Sequence, residues 1–260
     1  MRRPRAALAR RGHLFGDTPR WARLFLTWAA ALAPASVAAL TPAAVACEFM
    51  AAGYDLLDQA HDQTCARPDM AEMVLEETLP AGVSLLLLAQ ELLTGVDVAA
   101  ARRVAAGRAF ARAGRRAFAG QAADHALRAR PDADHAAALD VLRRRSGSLV
   151  AAPCQCAALL VGAPWRVVAL AGRFGHALGC AAQLEDDLAD RAEDALAGRT
   201  TLPLLLARRH AADPVLVEAA VWVLHRRFLA QAADAIERLP RQHVYNEVLW
   251  TLLPTDLRAR

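Results

Sequence analysis

Apolar residues dominate this chain in long Ala- and Leu-rich runs, interleaved mainly with Arg and punctuated by Gly and Pro. Strand-type runs are few, and Ala, Leu and Arg are all good helix formers, so the pattern predicts an all-α protein. Residues 24–47 carry no charge before the final Cys47 and are interrupted by Pro34 and Pro42, which predicts two core helices broken between Ala33 and Pro42. The same stretch follows Arg20 and Arg23 and ends in small residues, and so imitates an export signal or a short membrane span. The interruptions, and the acidic segment that continues from Glu48, favour core helices. Residues 43–62 read as one helix on which Asp55, Asp58 and Asp62 share a stripe. Residues 70–94 form another, and the unbroken apolar run 85–88 predicts burial on most of its sides. Residues 98–130 read as helix with breaks at Gly107, Gly114 and Gly120. A turn at 131–134 leads into a helix over 134–161, and Pro164 opens the next at an N1-like position.

The last of these helices carries the densest polar pattern. Residues 180–197 contain neither Gly nor Pro, so Gln183-Leu184-Glu185-Asp186-Asp187-Leu188-Ala189-Asp190 is expected to be helical. Asp186 and Asp190 then lie one turn apart on one face, with Gln183 on the adjoining turn. Gathered carboxylates repel one another, and a cation commonly offsets that cost. Oxygen-only ligands suit Mg²⁺, which takes one or two carboxylates and completes its shell with water and substrate phosphates. A solvated acidic helix face is the alternative for such a run.

At 260 residues the chain is long enough for one large domain with a sizeable core. Residues 1–20, with Arg2, Arg3, Arg5, Arg10 and Arg11, are expected to form a basic arm, and 21–260 a single domain. A net charge of +4, without clustered basic and aromatic residues, gives no sign of nucleic-acid binding. Five Cys, an odd number without framework spacing, fit a reduced cytoplasmic interior. Cys154 and Cys156 read as buried small hydrophobes rather than a metal site.

The segment Gln183 to Asp190, followed by Gly198-Arg199-Thr200-Thr201-Leu202-Pro203, resembles the second aspartate-rich motif of the trans-isoprenyl diphosphate (polyprenyl) synthase family, Q-x-x-D-D-x-x-D and then G-K-x-T-L-P. Phe174-Gly175 and Gly179 are similar to the F-G-x-x-x-G that precedes it. Arg145-Ser146-Gly147-Ser148-Leu149 is similar to K-T-G-x-L, Gly120-Gln121-Ala122-Ala123-Asp124 to G-Q-x-x-D, and Ala81-Gly82-Val83-Ser84-Leu85 to A-G-D-x-L. The first aspartate-rich motif is degraded. In register with Glu48 it falls on Asp58-Gln59-Ala60-His61-Asp62, where Gln59 replaces the second Asp and Leu57 the preceding His. The paired Arg residues that follow it are reduced to Arg67-Pro68, and the N-terminal basic signature to Arg20 and Arg23.

The resemblance implies an isoprenoid-synthase-type helical bundle around a central apolar cavity. It also implies a prenyltransferase that ionises an allylic prenyl diphosphate and condenses it with isopentenyl diphosphate. Its carry-over makes Asp58, Asp62, Asp186, Asp187, Arg145 and Arg199 catalytic. Asp58, Asp62, Asp186 and Asp190 would hold Mg²⁺, with Asp55 as a stand-in for the lost carboxylate. Arg20, Arg23, Arg67, Ser146, Gln183 and Gln121 would bind substrate. The chain contains no Lys, so Arg145 and Arg199 stand where the family has diphosphate-binding Lys, a role that bidentate pairing lets Arg fill. The degraded second-substrate site leaves two alternatives: a terpene cyclase using one allylic diphosphate, or a non-catalytic subunit modulating an active homologue. A homodimer, or a heterodimer with a homologue, and peripheral membrane contact through an apolar product are the further expectations.

Overall fold

The computed structural model of the chain describes residues 20–66, 71–128, 133–209, 213–240 and 245–257. Most of the expected basic arm, and Arg67, therefore lie outside the described residues. Eleven α-helices run through the described segments, which contain no strand. They are α1 (Arg20–Leu32), α2 (Thr41–Ala66), α3 (Ala71–Thr94), α4 (Ala100–Arg128), α5 (His135–Leu142), α6 (Ser148–Leu160), α7 (Trp165–Ala189), α8 (Arg191–Leu196), α9 (Leu202–Arg209), α10 (Pro214–Glu237) and α11 (Asn246–Trp250).

The uncharged stretch becomes α1, a 3₁₀ turn at Pro34–Ser36 and the start of α2. Leu24, Phe25, Trp28, Ala43, Ala46 and Cys47 are buried in the bundle, so these are two core helices broken where the prolines fall. Trp28 meets Phe174 of α7 edge to face at 5.5 Å, an arrangement the aromatic quadrupoles favour. Glu48 Oε1 accepts from the Ala22 N–H at 2.7 Å, satisfying a free donor of the first turn of α1 and fixing α1 against α2. Among the described helices α7 alone is long and apolar enough to cross a membrane, yet 67% of that window is buried, which makes it the central core helix.

Four local expectations need correction. α4 is continuous; its glycines mark close approaches rather than breaks, since a Cβ at Gly120 would sit 2.9 Å from the Arg145 backbone nitrogen. The α3 run is not buried on most sides: Leu87 is 67% exposed, and Leu79, Val83 and Leu88 are open as well. α3 packs mainly against α2, where Gly53 and Gly82 let the two backbones come close, and its outer face meets no other described helix. The helix expected over 134–161 is interrupted by a π turn at Arg143–Gly147. Asp134 caps α5 by accepting from the Ala137 N–H at 2.8 Å, while Pro164 sits at the N-cap of α7 rather than inside it.

Candidate active site

A cavity of about 540 Å³ opens between α1, α2, α3, α4, α6 and α7. Most of its wall is apolar, from Trp21, Leu24, Leu57, Val83, Phe118, Leu149 and Val150. Asp55, Asp58 and His61 reach it from α2, Asp186 and Gln183 from α7, and Arg145 and Ser146 from the π turn. Tyr54, one helical turn before Asp58, meets Phe118 at 4.7 Å between ring centroids and closes part of the wall. Burial pushes the Tyr54 phenol up to about 12, so it stays uncharged.

Beside the cavity the acidic end of α2 enters a chain of ion pairs. Arg145 Nη2 donates to Asp58 Oδ2 at 3.2 Å, and its Nη1 to Asp124 Oδ2 at 3.3 Å. Arg128 Nη2 donates to Asp124 Oδ2 and to Asp62 Oδ1, each at 3.1 Å. Arg199 Nη2 donates to Asp62 Oδ2 at 2.9 Å, and its Nη1 to Asp194 Oδ1 at 3.2 Å. Asp124 is only 8% exposed, a depth at which an unpaired carboxylate is costly. The turn that brings Arg199 here contains Gly198 at φ +67°, a left-handed conformation suited to glycine.

On α7, Ser146 Oγ donates to Gln183 Oε1 at 2.6 Å, and Gln183 Nε2 donates to Asp187 Oδ1 at 2.8 Å. A Cβ at Gly179 would overlap the Ser146 carbonyl, so this glycine is what lets the π turn lie against α7. Asp187 lines not the large cavity but a small cleft shared with Asp124, Arg145 and Thr200. Burial pushes its carboxyl up to about 7, with Asp194 and Asp186 adding to the shift and the Gln183 hydrogen bond opposing it. Asp190 ends α7, its N–H bonded to the Asp186 carbonyl at 2.9 Å.

The structure thus brings Asp58, Asp62, Asp186, Asp187, Arg145, Arg199, Ser146, Gln183 and Gln121 to one region, with Arg20 on the cavity lining. Arg23 is exposed and absent from that lining, and Gln59, in place of the second Asp, is exposed too. His61 stacks on His125 at 3.7 Å between ring centroids. Arg128 and Asp194 were not expected. Asp124 and Arg128 are spaced as a helical i,i+4 pair, the one signal that could have pointed to Arg128.

Two buried atoms bear on what the site could hold. Among the described residues, Asp58 Oδ1 is buried without a hydrogen-bond partner while Oδ2 takes Arg145, and Gln121 Nε2 is a buried donor without an acceptor. No three His, Cys, Asp or Glu residues converge on one point among the described residues. The orphaned Asp58 oxygen and the cavity-facing Asp186 nevertheless fit a hard divalent cation that takes one or two carboxylates and completes its shell from water and diphosphate.

The family model described as polyprenyl synthetase matches residues 23–212. The chain belongs to the polyprenyl synthetase family. The chain is 38% identical over 77 residues to heptaprenyl diphosphate synthase component 2 of Geobacillus stearothermophilus, a match covering 25% of the chain and 24% of that protein. It is 38% identical over 110 residues to a (2E,6E)-farnesyl diphosphate synthase of Mycobacterium tuberculosis (strain ATCC 25618 / H37Rv), covering 42% of the chain and 30% of the relative. The chain thus spans less than a third of the length of these curated relatives in the matched stretch. A geranylgeranyl pyrophosphate synthetase from the archaeon Geoglobus acetivorans superposes with a TM-score of 0.80 at 20% identity, over 94% of this chain and 86% of that one. A polyprenyl synthetase from Streptomyces coelicolor A3(2) superposes at 0.71 and 20% identity, over 91% and 83%. At these identities the superpositions speak for the shared all-α fold.

Proposed function

We propose that this chain is a prenyltransferase that ionises an allylic prenyl diphosphate and joins the resulting cation to isopentenyl diphosphate. The observation that carries the reading is the meeting of two acidic helix ends and Arg145 on one apolar cavity. The hydrocarbon of the allylic substrate lies against the apolar wall, and its diphosphate lies at the neck. There Arg145, Arg199 and Arg128 offer guanidinium donors matched to phosphate oxygens. Gln121 adds an amide donor that has no acceptor among the described residues. These fixed donors stabilise the charge that grows on the departing diphosphate. Apolar walls keep water from the allylic cation. Asp58 and Asp62 on α2, with Asp186 and Asp190 at the end of α7, would hold Mg²⁺, which supplies further charge neutralisation at the leaving group.

Arg20, on the cavity lining, would meet the second diphosphate. That thin provision, and the similarity to a protein named as component 2 of a synthase, support a partner subunit, either a second copy or a homologue. The exposed Leu87 and Leu88 of α3, which do not line the cavity, are the surface such a subunit would cover. A cytoplasmic setting suits the buried, unpaired thiols of Cys47, Cys154, Cys156 and Cys180.

Purified protein incubated with Mg²⁺ and geranyl or farnesyl diphosphate, with and without isopentenyl diphosphate, tests this reading. Longer diphosphates formed only when isopentenyl diphosphate is present support it. Hydrocarbon or alcohol formed without it would replace the reading by a cyclase.

A further inference from the structure

A second cavity, of about 440 Å³, opens between α4, α6, α7 and α10 on residues that the acidic cavity does not use. Its floor is made of small residues, among them Ala113 and Gly172, and its wall carries Arg112, Arg116, Arg173, His176, Gln155 and Gln231. No Asp or Glu among the described residues lines it. Among the described residues Arg112 and Arg116 have no ion-pair partner, and Arg173 reaches Asp234 only at 3.6 Å. Asp234 is itself held by Arg238 at 2.8 Å. The charge of the cup is therefore largely uncompensated by the described residues.

The shape has a cause in the sequence. A Cβ at Gly172 would collide with the Gln155 amide, so the missing side chain is what lets this polar group lie in the cup. Half-buried His176 is held below its usual range, first by desolvation and then by the nearby Arg143 and Arg116 charges, a sign of the same positive field. Guanidinium groups on a concave surface match the oxygens of phosphate groups. The volume falls within the ~300–1,000 Å³ of small-molecule sites and exceeds what a bare phosphate fills.

We propose that this cup is a second binding site, separate from the acidic cavity, for a free small molecule bearing a phosphate or diphosphate group. The ligand is held by Arg112 and Arg116 from α4 and Arg173 from α7, with Gln155 and Gln231 as hydrogen-bonding partners. The site is independent of the prenyl-transfer reading, because none of these residues lines the acidic cavity.

Isothermal titration of the full chain with inorganic diphosphate in EDTA tests it, comparing wild type with Arg112→Gln/Arg116→Gln and with Arg145→Ala/Arg199→Ala. The Arg145→Ala/Arg199→Ala protein should retain a binding event. Arg112→Gln/Arg116→Gln should weaken that event at least about ten-fold, the scale of one lost charge-assisted hydrogen bond. Arg112 and Arg116 are exposed, so thermal melting should show both substitutions tolerated; Arg112→Lys/Arg116→Lys, which keeps the charge, should recover part of the affinity. An unchanged titration of a folded Arg112→Gln/Arg116→Gln protein overturns the proposal. Flotation with phosphatidylglycerol against phosphatidylcholine vesicles separates a lipid headgroup from a free ligand. Retention on the anionic vesicles that depends on Arg112 and Arg116 would overturn the free-ligand assignment.

Discussion

The Arg145 guanidinium lies 3.2 Å from the Asp58 carboxylate, across 87 residues of chain. Its other terminal nitrogen reaches Asp124 at 3.3 Å, so one side chain joins α2, α4 and the π turn at the neck of the cavity. Replacing it with Ala leaves two carboxylates without that donor. Arg145→Ala should lower stability by about 1–3 kcal/mol, the range for a lost charge-assisted hydrogen bond, seen as a lower urea midpoint. If Arg145 also receives diphosphate, the same change should cut turnover about 100-fold or more. Arg145→Lys should restore stability better than turnover, because Lys lacks the planar fork.

Asp187 gives a pH prediction with a definite sign. Its folded carboxyl is pushed up to about 7, whereas an unfolded Asp titrates near ~3.9. The folded state therefore holds the proton more tightly. The stabilisation is fully present below about pH 4, declines as pH rises through the window to about 7, and is absent above it. In metal-free buffer the difference in urea midpoint between wild type and Asp187→Asn should follow that curve. Asp187→Asn keeps an acceptor for Gln183, so its profile should lose this slope without losing the fold.

Tyr54 and Phe118, 4.7 Å apart, close part of the cavity wall. Under the prenyl-transfer reading they limit the hydrocarbon that the cavity accepts. Tyr54→Ala removes a ring beside Gly114 and enlarges that end. Mass spectrometry of the products should show a shift to longer chains than wild type makes, with Phe118→Ala acting in the same direction. An unchanged product length in both variants would place the end of the hydrocarbon elsewhere.

The acidic helix α7 was legible in the sequence because its signals are local: carboxylates one turn apart, no helix breaker, and the glycine turn before Arg199. The same holds for the paired core helices of the uncharged stretch, where two prolines mark the break. What escaped was set by distant partners. Gly107, Gly114 and Gly120 look like breaks along the chain, yet only the approach of Tyr54, Arg144 and Arg145 explains Gly114 and Gly120. Arg128 is visible as a partner for Asp124, but its bond to Asp62 spans 66 residues and has no local trace. The apolar run on α3 was expected to be buried, because hydrophobicity alone does not distinguish a core face from an exposed one. The π turn that carries Arg145 and Ser146 likewise depends on Gly147 and Gly179 meeting neighbouring helices.

In the proposed reaction the ends of α2 and α7 act on one substrate in the shared cavity. The most direct measurement is the rate of inorganic diphosphate release from farnesyl diphosphate with isopentenyl diphosphate and Mg²⁺, comparing wild type with Asp58→Asn, Asp186→Asn and the double variant. Wild type should release diphosphate in step with a longer product. Each single variant should fall by about two orders of magnitude or more, and the double variant little further, as expected of residues that act as a unit. Full activity in a folded Asp186→Asn protein, or losses that multiply as for independent sites, would mean that the two helix ends do not act together on one substrate.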